Sequence, residues 1–399
     1  MGCDFSFVHC ADLHLGSRFW GIRQSNTSLG ERLYKSTFMS FSKIVDIAIE
    51  KADFMVISGD IYDELVETPR TRAFFASEME RLGKQCFIVT GNHDSVHSWS
   101  KSIPYPPNVH EFGKEPEVCK INIRGINVEI TGISYSGNHT DENLAAKLKG
   151  SPGVFTIGVV HCSVSSMGGV GDGYAPCSEE DLKGKDIDYW ALGHIHKKAI
   201  LNEFNPTIVY PGNIQGRDVN EPGDRGCMLV EVTENHPRIV FIPTQSIKWI
   251  NLKADITGKS TITQLVDSLK KDITRDSIVS LEIIGKGNLN NTIRKEPKLV
   301  VDELHRTTGA TISIKKITCV ENIDLDKERD SGTLISEILK ASDELSDMTD
   351  QELLELICSN GPTDDIKRYL QYYADRGRLK ELLNEATTSV IDRLMGAKS

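Results

Sequence analysis

The sequence predicts an α/β fold: a two-layer β-sandwich domain flanked by helices, then a small α+β cap domain and a helical C-terminal segment. Three observations predict it. The first 245 residues alternate short apolar segments with segments of helical periodicity, a β-α-β-α-β order follows from residue 248, and only helical patterns come after residue 324. Since 399 residues are too many for one typical core, we predict domains at residues 1–247, 248–322 and 323–399.

In the first domain, strands are predicted where short runs rich in Val, Ile or Phe end in a turn that carries Asp, Asn, His or Gly. Helical patterns fill two of the gaps, at about Leu33–Lys51 and Thr71–Leu82. Hairpins are expected around Arg124 with Gly125 and around Asn235. The buried strands are predicted at Phe5–Cys10, Asp53–Ser58, Cys86–Thr90, Phe155–Val160 and Asp188–Leu192.

The rest of the chain shows two further patterns. Apolar residues recur at spacings of three and four between Leu334 and Leu383, which usually indicates a local helical core and less often a surface for docking a partner. The cap domain is predicted to contain strands Trp249–Asp255, Ser277–Ile284 and Thr311–Ile317, and helices Ser260–Lys271 and Asn288–Thr307.

Composition favours a cytoplasmic protein without a membrane span. Hydrophobic residues make up 39% of the chain and charged residues 26%, and no apolar run approaches the roughly 18 residues that a span needs. The N-terminus lacks a secretory pattern, and the nine cysteines form no CxxC pair, which indicates reduced thiols. The formal charge of -11 argues against nonspecific coating of nucleic acid, although residues 321–399, with 18 acidic and 10 basic side chains, carry most of it.

Potential metal ligands follow each of the five predicted strands. A single His or Asp after a strand is usually a structural residue, so each segment alone is weak support. Because the carboxyl ends of neighbouring parallel strands meet at one edge of a sheet, the five segments together predict one cluster. Its seven nitrogen and oxygen donors are Asp12, His14, Asp60, Asn92, His161, His194 and His196.

The donor types indicate a site for two ions. Imidazole and carboxylate donors without thiolates suit Mn²⁺, Fe²⁺ or Zn²⁺ better than Ca²⁺ or Mg²⁺. Seven donors exceed the needs of one ion, and Asp60 is the natural bridge because a carboxylate has two oxygens and a full charge. Two ions roughly 3.5–4 Å apart can activate a water and clamp phosphate oxygens, so the pattern predicts a phosphodiesterase.

His93, beside the predicted ligand Asn92, is the candidate catalytic acid. Its side chain is expected to point the opposite way from that of Asn92. There it can donate a proton to the leaving oxygen of a phosphate ester. Asp63 and Asp94 are placed to orient such histidines as hydrogen-bond acceptors. The alternative, that these two carboxylates only stabilise turns, is about as well supported.

The complete motif set resembles the calcineurin-like metallophosphoesterase superfamily. The signature DxH, GDxxD, GNH[DE], H and GHxH is present in order, from Asp12 to His196. The resemblance implies one metal on Asp12, His14, Asp60 and His196, and a second on Asp60, Asn92, His161 and His194, with His93 catalytic.

A narrower resemblance, over about residues 5–245, is to the SbcD-type and YhaO-type nucleases of DNA repair. It rests on the segment from Asp12 to Trp20 and on Tyr210 to Arg217. It implies two divalent ions, Mn²⁺ first with Fe²⁺ or Zn²⁺ as alternatives, DNA as substrate, a homodimer, and an SbcC-type coiled-coil ATPase partner. The acidic helical segment suits protein docking better than contact with DNA.

Four residues are candidates for contacts with DNA. Arg18 and Arg217 are suited to phosphate, and Phe19 or Trp20 to stacking on an unpaired base, although packing beneath the site loop is an equal alternative for the two aromatic residues. Two other functions stay open: a phosphatase or small-molecule phosphodiesterase, which would need a closed pocket, and a DNA-tethering subunit with vestigial chemistry. The intact donor set argues against the tethering subunit.

Overall fold

The computed structural model describes residues 3–17, 27–63, 68–94, 103–135, 137, 140–167, 174–320, 329 and 332–396. The chain forms two compact units. The first comprises Met1–Ile250 with Asp276–Ile278, and the second comprises Asn251–Arg275 with Val279–Ser399. The predicted division into three domains stays a prediction.

The first unit is built on two six-stranded sheets, which confirms the predicted α/β fold. The strands are β1 (Phe5–Cys10), β2 (Phe54–Ser58), β3 (Cys86–Val89), β4 (Val109–Glu111), β5 (Glu117–Ile123), β6 (Ile126–Ile133), β7 (Phe155–His161), β8 (Ser163–Val164), β9 (Pro176–Cys177), β10 (Tyr189–Gly193), β11 (Ala199–Asn202), β12 (Thr207–Tyr210), β13 (Gly226–Thr233) and β14 (His236–Pro243). One sheet has the order β14-β13-β1-β2-β3-β4, the other β11-β12-β10-β7-β6-β5, and β8 pairs with β9.

Strand direction places the ends that matter for function. In the first sheet, β1, β2, β3 and β4 run parallel, and β13 and β14 are antiparallel additions. In the second sheet, β6, β7, β10 and β12 run parallel. The predicted hairpins are present as the β5–β6 and β13–β14 pairs, whereas β4, β11 and β12 were not predicted.

The two sheets face each other across an apolar core. Successive side chains of β1 alternate, so Phe7 faces the other sheet, where its ring lies 5.1 Å from the ring of Tyr189, while Val8 faces outward. Two helices, α1 (Thr27–Lys51) and α2 (Pro69–Leu82), pack on that outward face through Phe41 and Phe75. The result is a sandwich with helices outside.

The sequence marks the ends of α2 clearly. Thr68 precedes Pro69 and accepts a hydrogen bond from the backbone of Thr71, forming a capping box, and Pro at the first helical position loses no hydrogen bond. Gly83 ends the helix in the left-handed conformation that glycine adopts without steric cost.

The second unit contains most of a three-stranded sheet and a helical segment. The sheet has the order β15 (Lys248–Asp255), β16 (Ser277–Ile284) and β17 (Thr311–Ile317), with helices α3 (Ile262–Leu269), α4 (Leu289–Lys295) and α5 (Lys298–Thr308). Among the described residues, four helices follow: α6 (Leu334–Ser346), α7 (Asp350–Ser359), α8 (Asp364–Ala374) and α9 (Leu379–Gly396). Leu353, Leu354, Leu370 and Leu379 form a local core among them, as the apolar stripes predicted.

Within the described ranges, none of the helices is both long enough and apolar enough to cross a lipid bilayer.

Candidate metal centre

The predicted donors lie at the carboxyl ends of five parallel strands. β1 leads to Asp12 and His14, β2 to Asp60, β3 to Asn92, β7 to His161, and β10 to His194 and His196. Backbone hydrogen bonds join these loops, because the amide of Asp12 donates to Gly59 O and that of His14 to Asp60 O. The strand order therefore brings the loops of both sheets to one edge.

Several donors have a backbone conformation that side chains other than glycine rarely adopt. The φ angle is 52° at Asp12, 42° at His14, 51° at Asp60 and 99° at His194. Such left-handed conformations cost roughly 1–3 kcal/mol each and persist only where the surrounding contacts hold them. Four described residues with left-handed backbone thus belong to the predicted donor set at this edge.

Glycines before two donors permit close approach of neighbouring loops. A Cβ atom on Gly91 would lie 2.2 Å from Oδ1 of Asp60, and one on Gly193 would lie 1.8 Å from the carbonyl oxygen of Ser58. The glycines of the GNH and GHxH motifs are therefore needed for packing, because any side chain would push the donor loops apart.

The donor atoms form two overlapping groups. The ligand atoms of Asp12, His14 and His196 all lie within 4.8 Å of one another, as do those of Asp12, Asp60 and His161. Oδ2 of Asp60 lies 3.7 Å from Nε2 of His14 and 3.5 Å from Nε2 of His161, so this single oxygen reaches both groups. That position suits a bridging carboxylate.

The remaining two donors lie beside His161. Oδ1 of Asn92 is 3.1 Å from Nε2 of His161, and the ring of His194 lies 5.3 Å from that of His161. The backbone amide of His194 also donates to Oδ1 of Asp12, at 3.0 Å. All seven predicted donors are thus brought to one place.

Hydrogen bonds to the opposite ring nitrogen fix two of the histidines. Nδ1 of His161 donates to the carbonyl of Ser58 at 2.9 Å, and Nδ1 of His196 donates to Oε1 of Glu221 at 2.6 Å. Each Nε2 then carries the lone pair that a metal requires and faces the cluster.

His14 completes the argument that the donors fit a cation. Its Nε2 lies 3.1 Å from Nε2 of His196, while its buried Nδ1 has no hydrogen-bond partner among the described residues. Burial, followed by the charges of Arg217 and of neighbouring histidines, holds the pKa of His14 well below its usual value. With its proton on Nδ1, neutral His14 would direct the lone pair of Nε2 into the cluster beside that of His196, where both nitrogens could bind one cation.

The buried carboxylates also indicate a site for cations. Burial raises the pKa of Asp12, and burial together with the charge of Asp60 raises the pKa of Asp94 to about 8. Crowded carboxylates in a site that excludes water need a positive countercharge, which divalent cations supply. The nitrogen and oxygen donors without thiolate fit such ions.

His93 lies over the cluster with its side chain 43% exposed. Its Nδ1 lies 3.5 Å from Oδ1 of Asp63, and this hydrogen bond is the main reason that the pKa of His93 is raised and that of Asp63 lowered. The backbone amide of His93 donates to Oδ1 of Asp60 at 3.0 Å, which links the proposed acid to the proposed bridging carboxylate.

The two predicted orienting carboxylates differ in their contacts. Asp63 lies against His93 and accepts a hydrogen bond from Ser17, whereas Asp94 accepts from the backbone amides of Tyr62 and Gly91, at 2.8 and 2.9 Å. The contacts of Asp94 are those of the alternative interpretation, a carboxylate that stabilises its turn.

Of the residues considered for DNA contact, Arg18, Phe19 and Trp20 lie outside the described residues. Arg217 lies at the edge of the cluster, where Nη1 is 3.7 Å from Oδ2 of Asp63 and Nε is 3.8 Å from Oε1 of Glu221. The Arg217 side chain is 25% exposed, so it is held beside the donors while keeping access to solvent.

Glu221 is the residue that sequence reasoning missed. Burial opposes ionisation, but hydrogen bonding and charge from His196, with further charge from Arg217, lower the pKa of Glu221 to about 2. No local motif marks it, because it follows a turn 25 residues after the histidine that it contacts.

Comparisons with known proteins find relatives among the phosphoesterases. The family model for calcineurin-like phosphoesterases matches residues 5–198. The chain is 34% identical over 311 residues to the uncharacterized metallophosphoesterase YhaO of Bacillus subtilis, which covers 75% of this chain and 76% of that protein. It is 25% identical over 283 residues to the DNA double-strand break repair protein Mre11 of Methanocaldococcus jannaschii, covering 66% and 73%.

The solved structure of a dimetal phosphatase from Danio rerio also matches, covering 58% of this chain and 94% of that chain. Its sequence identity is 10% and the TM-score is 0.38, a likeness too slight to support an argument.

The extent of the similarity to YhaO shows that the chain belongs to the calcineurin-like metallophosphoesterase family. Proteins of this class are metal-dependent phosphoester hydrolases with a dinuclear site for divalent ions, and this chain presents candidate ligands for such a site. The prediction of the superfamily is confirmed. The SbcD-type branch stays a prediction.

Proposed function

We propose that this protein is a Mn²⁺-dependent DNA exonuclease and endonuclease of the SbcD type that acts in DNA repair. The observation that carries the hydrolytic part is the donor cluster around Asp60, whose Oδ2 lies within 3.7 Å of a histidine nitrogen on either side. The choice of DNA is supported by the similarity to Mre11 proteins of archaea, named for double-strand break repair.

The proposed ligand sets share Asp60. Asp12, His14 and His196 complete one set, and Asn92, His161 and His194 complete the other. When bound, two divalent ions supply Lewis-acid activation of a water and of the phosphate. The protein contributes a buried donor arrangement in which hydrogen bonds orient the rings of His161 and His196.

Two residues beside the donors, His93 and Arg217, are proposed to act on the phosphodiester. His93, with Nδ1 held by Asp63, keeps a proton available for the leaving oxygen, because that hydrogen bond raises its pKa. Arg217, a forked donor of fixed charge at the edge of the cluster, is proposed to contact a non-bridging phosphate oxygen.

The proposal also includes partner proteins for the C-terminal helices. The acidic helices from α6 to α9 are proposed to dock an SbcC-type coiled-coil ATPase, and the active form is proposed to be a homodimer in the cytoplasm. Exposed aromatic side chains on α8, Tyr369 and Tyr372, support a docking role for this segment.

The test is cleavage of single- and double-stranded DNA with Mn²⁺, comparing wild type with His93→Ala. We expect His93→Ala to lose about 10²–10⁴-fold in turnover while Mn²⁺ still binds, because the acid is removed and the ligands are kept. His236→Ala is the matched control, since His236 is an exposed histidine in the β13–β14 hairpin.

Small chromogenic phosphomonoesters and phosphodiesters are assayed in parallel. Cleavage of these compounds with no cleavage of DNA, even with the ATPase partner added, would defeat the nuclease proposal. Loss of both metals in His93→Ala would defeat the role given to that histidine.

A further inference from the structure

Glu221 links the donor cluster to the arginine at its edge. One oxygen, Oε1, accepts a hydrogen bond from Nδ1 of His196 at 2.6 Å. The other, Oε2, accepts from the backbone amide of Arg217 at 2.7 Å and from Nδ2 of Asn213 at 2.8 Å. Both oxygens are therefore engaged, and the side chain is only 15% exposed.

The same stretch of chain, residues 213–225, also holds the backbone of His196. The carbonyl oxygen of His196 accepts hydrogen bonds from the amide of Asn213, at 3.2 Å, and from Nη1 of Arg225. Arg225 is itself braced by Oδ1 of Asn213 at 2.9 Å. Ring and carbonyl of His196 are thus fixed by one segment.

A carboxylate is the only side chain that satisfies this arrangement. Accepting from Nδ1 of His196 sets the tautomer and leaves the Nε2 lone pair toward the donors. An amide in place of Glu221 would turn an N–H group either toward His196 or toward the two donors on Oε2, so one side would lose its acceptor. In Glu221→Ala both acceptors would be lost, so the His196 ring and the turn at Arg217 would each lose a hydrogen bond.

We propose that Glu221 is a positioning residue, which presents Nε2 of His196 to the metal and holds the turn that carries Arg217 toward the substrate phosphate. The proposal rests on the ligand role proposed for His196. Glu221 is not part of the motif set. In this proposal its single carboxylate orients both the metal ligand His196 and the substrate-contacting Arg217.

The test is titration of Mn²⁺ into the metal-free full-length protein by isothermal calorimetry, which needs no substrate. We expect Glu221→Ala to bind Mn²⁺ about 10–100-fold more weakly, as loss of a carboxylate behind a ligand histidine does elsewhere, with a smaller loss in Glu221→Gln. Arg217→Ala should not weaken Mn²⁺ binding, because it removes a positive charge beside the donors and keeps Glu221 on His196, and it should raise the KM for a chromogenic phosphodiester.

The matched control is Glu231→Ala, because Glu231 pairs with Arg238 on the surface of the β13–β14 hairpin. Wild-type Mn²⁺ affinity in Glu221→Gln and Glu221→Ala would overturn the proposal, as would an equal loss in Arg217→Ala. If Glu221→Ala does not fold, the Mn²⁺ affinity of Glu221→Gln alone tests the proposal. A wild type that binds Mn²⁺ but cleaves no DNA would defeat the nuclease proposal and leave this comparison intact.

Discussion

The two edges of the sandwich carry similar turn residues but differ in what those residues form. At the carboxyl edge, Asp12 and Asp60 adopt left-handed backbone and are 1% exposed. At the amino edge, before β7, β10 and β12, Asp186 also has a left-handed φ of 54°, but it is exposed and lines an open cleft of about 410 Å³ with Asp188 and Asn205.

The difference shows that Asp and Asn in turns do not make a metal site by themselves. Among the described residues, clusters of three His, Cys, Asp or Glu ligand atoms occur only at the carboxyl edge. There, parallel strands from both sheets end together, and burial prevents water from solvating each carboxylate separately. The convergence of strand ends and the burial of the carboxylates distinguish the two edges. Both features can be tested by mutation.

The largest difference is expected between Asp60→Asn and Asp186→Asn. Asp60→Asn removes the charge that lies between the two donor groups, so we expect Mn²⁺ affinity to fall by at least about 100-fold and hydrolysis to be lost with it. Asp186→Asn keeps a residue that tolerates left-handed backbone and should leave both unchanged. Calorimetric titration and a phosphodiester assay measure the pair. Equal behaviour of the two variants would remove the distinction between the edges.

The second comparison uses glycines from the same two edges. In Gly193→Ala the new Cβ would meet the carbonyl of Ser58, so β10 and β2 must separate, and we expect a loss of about 3 kcal/mol in the free energy of unfolding. Gly184→Ala, at a φ of 65° with open space around it, should cost only about 1 kcal/mol of backbone strain. Urea denaturation measures both. A larger cost for Gly184→Ala would contradict the close contact assigned to Gly193.

The third prediction concerns the core between the edges. His9 is buried between Tyr189 and Ser58, and burial, opposed only in part by a backbone hydrogen bond, lowers its pKa to about 3. His9 in the unfolded chain binds a proton near pH 6.5 and folded His9 does not, so its contribution to stability is complete above pH 6.5 and is lost as the pH falls toward 3.

Between pH 7 and pH 5 this loss should amount to about 2 kcal/mol. Urea denaturation at both values, for wild type and for His9→Gln, isolates the contribution, because the variant lacks the titrating group. The same change in stability with pH in both proteins would show that His9 is not the group responsible.

Much of this architecture could be predicted from local patterns. The apolar runs before Asp12, Asp60 and Asn92 are recognisable as buried strands because every residue of β1, β2 and β3 is buried. The short strands β4, β11 and β12 were missed, since runs of three or four residues carry little periodicity. Glu221 was missed because its role is a contact with a distant segment.

The sequence by itself determined which donor types are available and that each follows a buried strand, because these depend on neighbours in the chain. Only the tertiary structure decided that His14 and His196, 182 residues apart, face each other through Nε2, and that Asp63 reaches His93 while Asp94 binds backbone amides. Such choices depend on strand order and on the packing of loops from two sheets. These contacts form between segments that are distant in the chain, so no local sequence pattern predicts them.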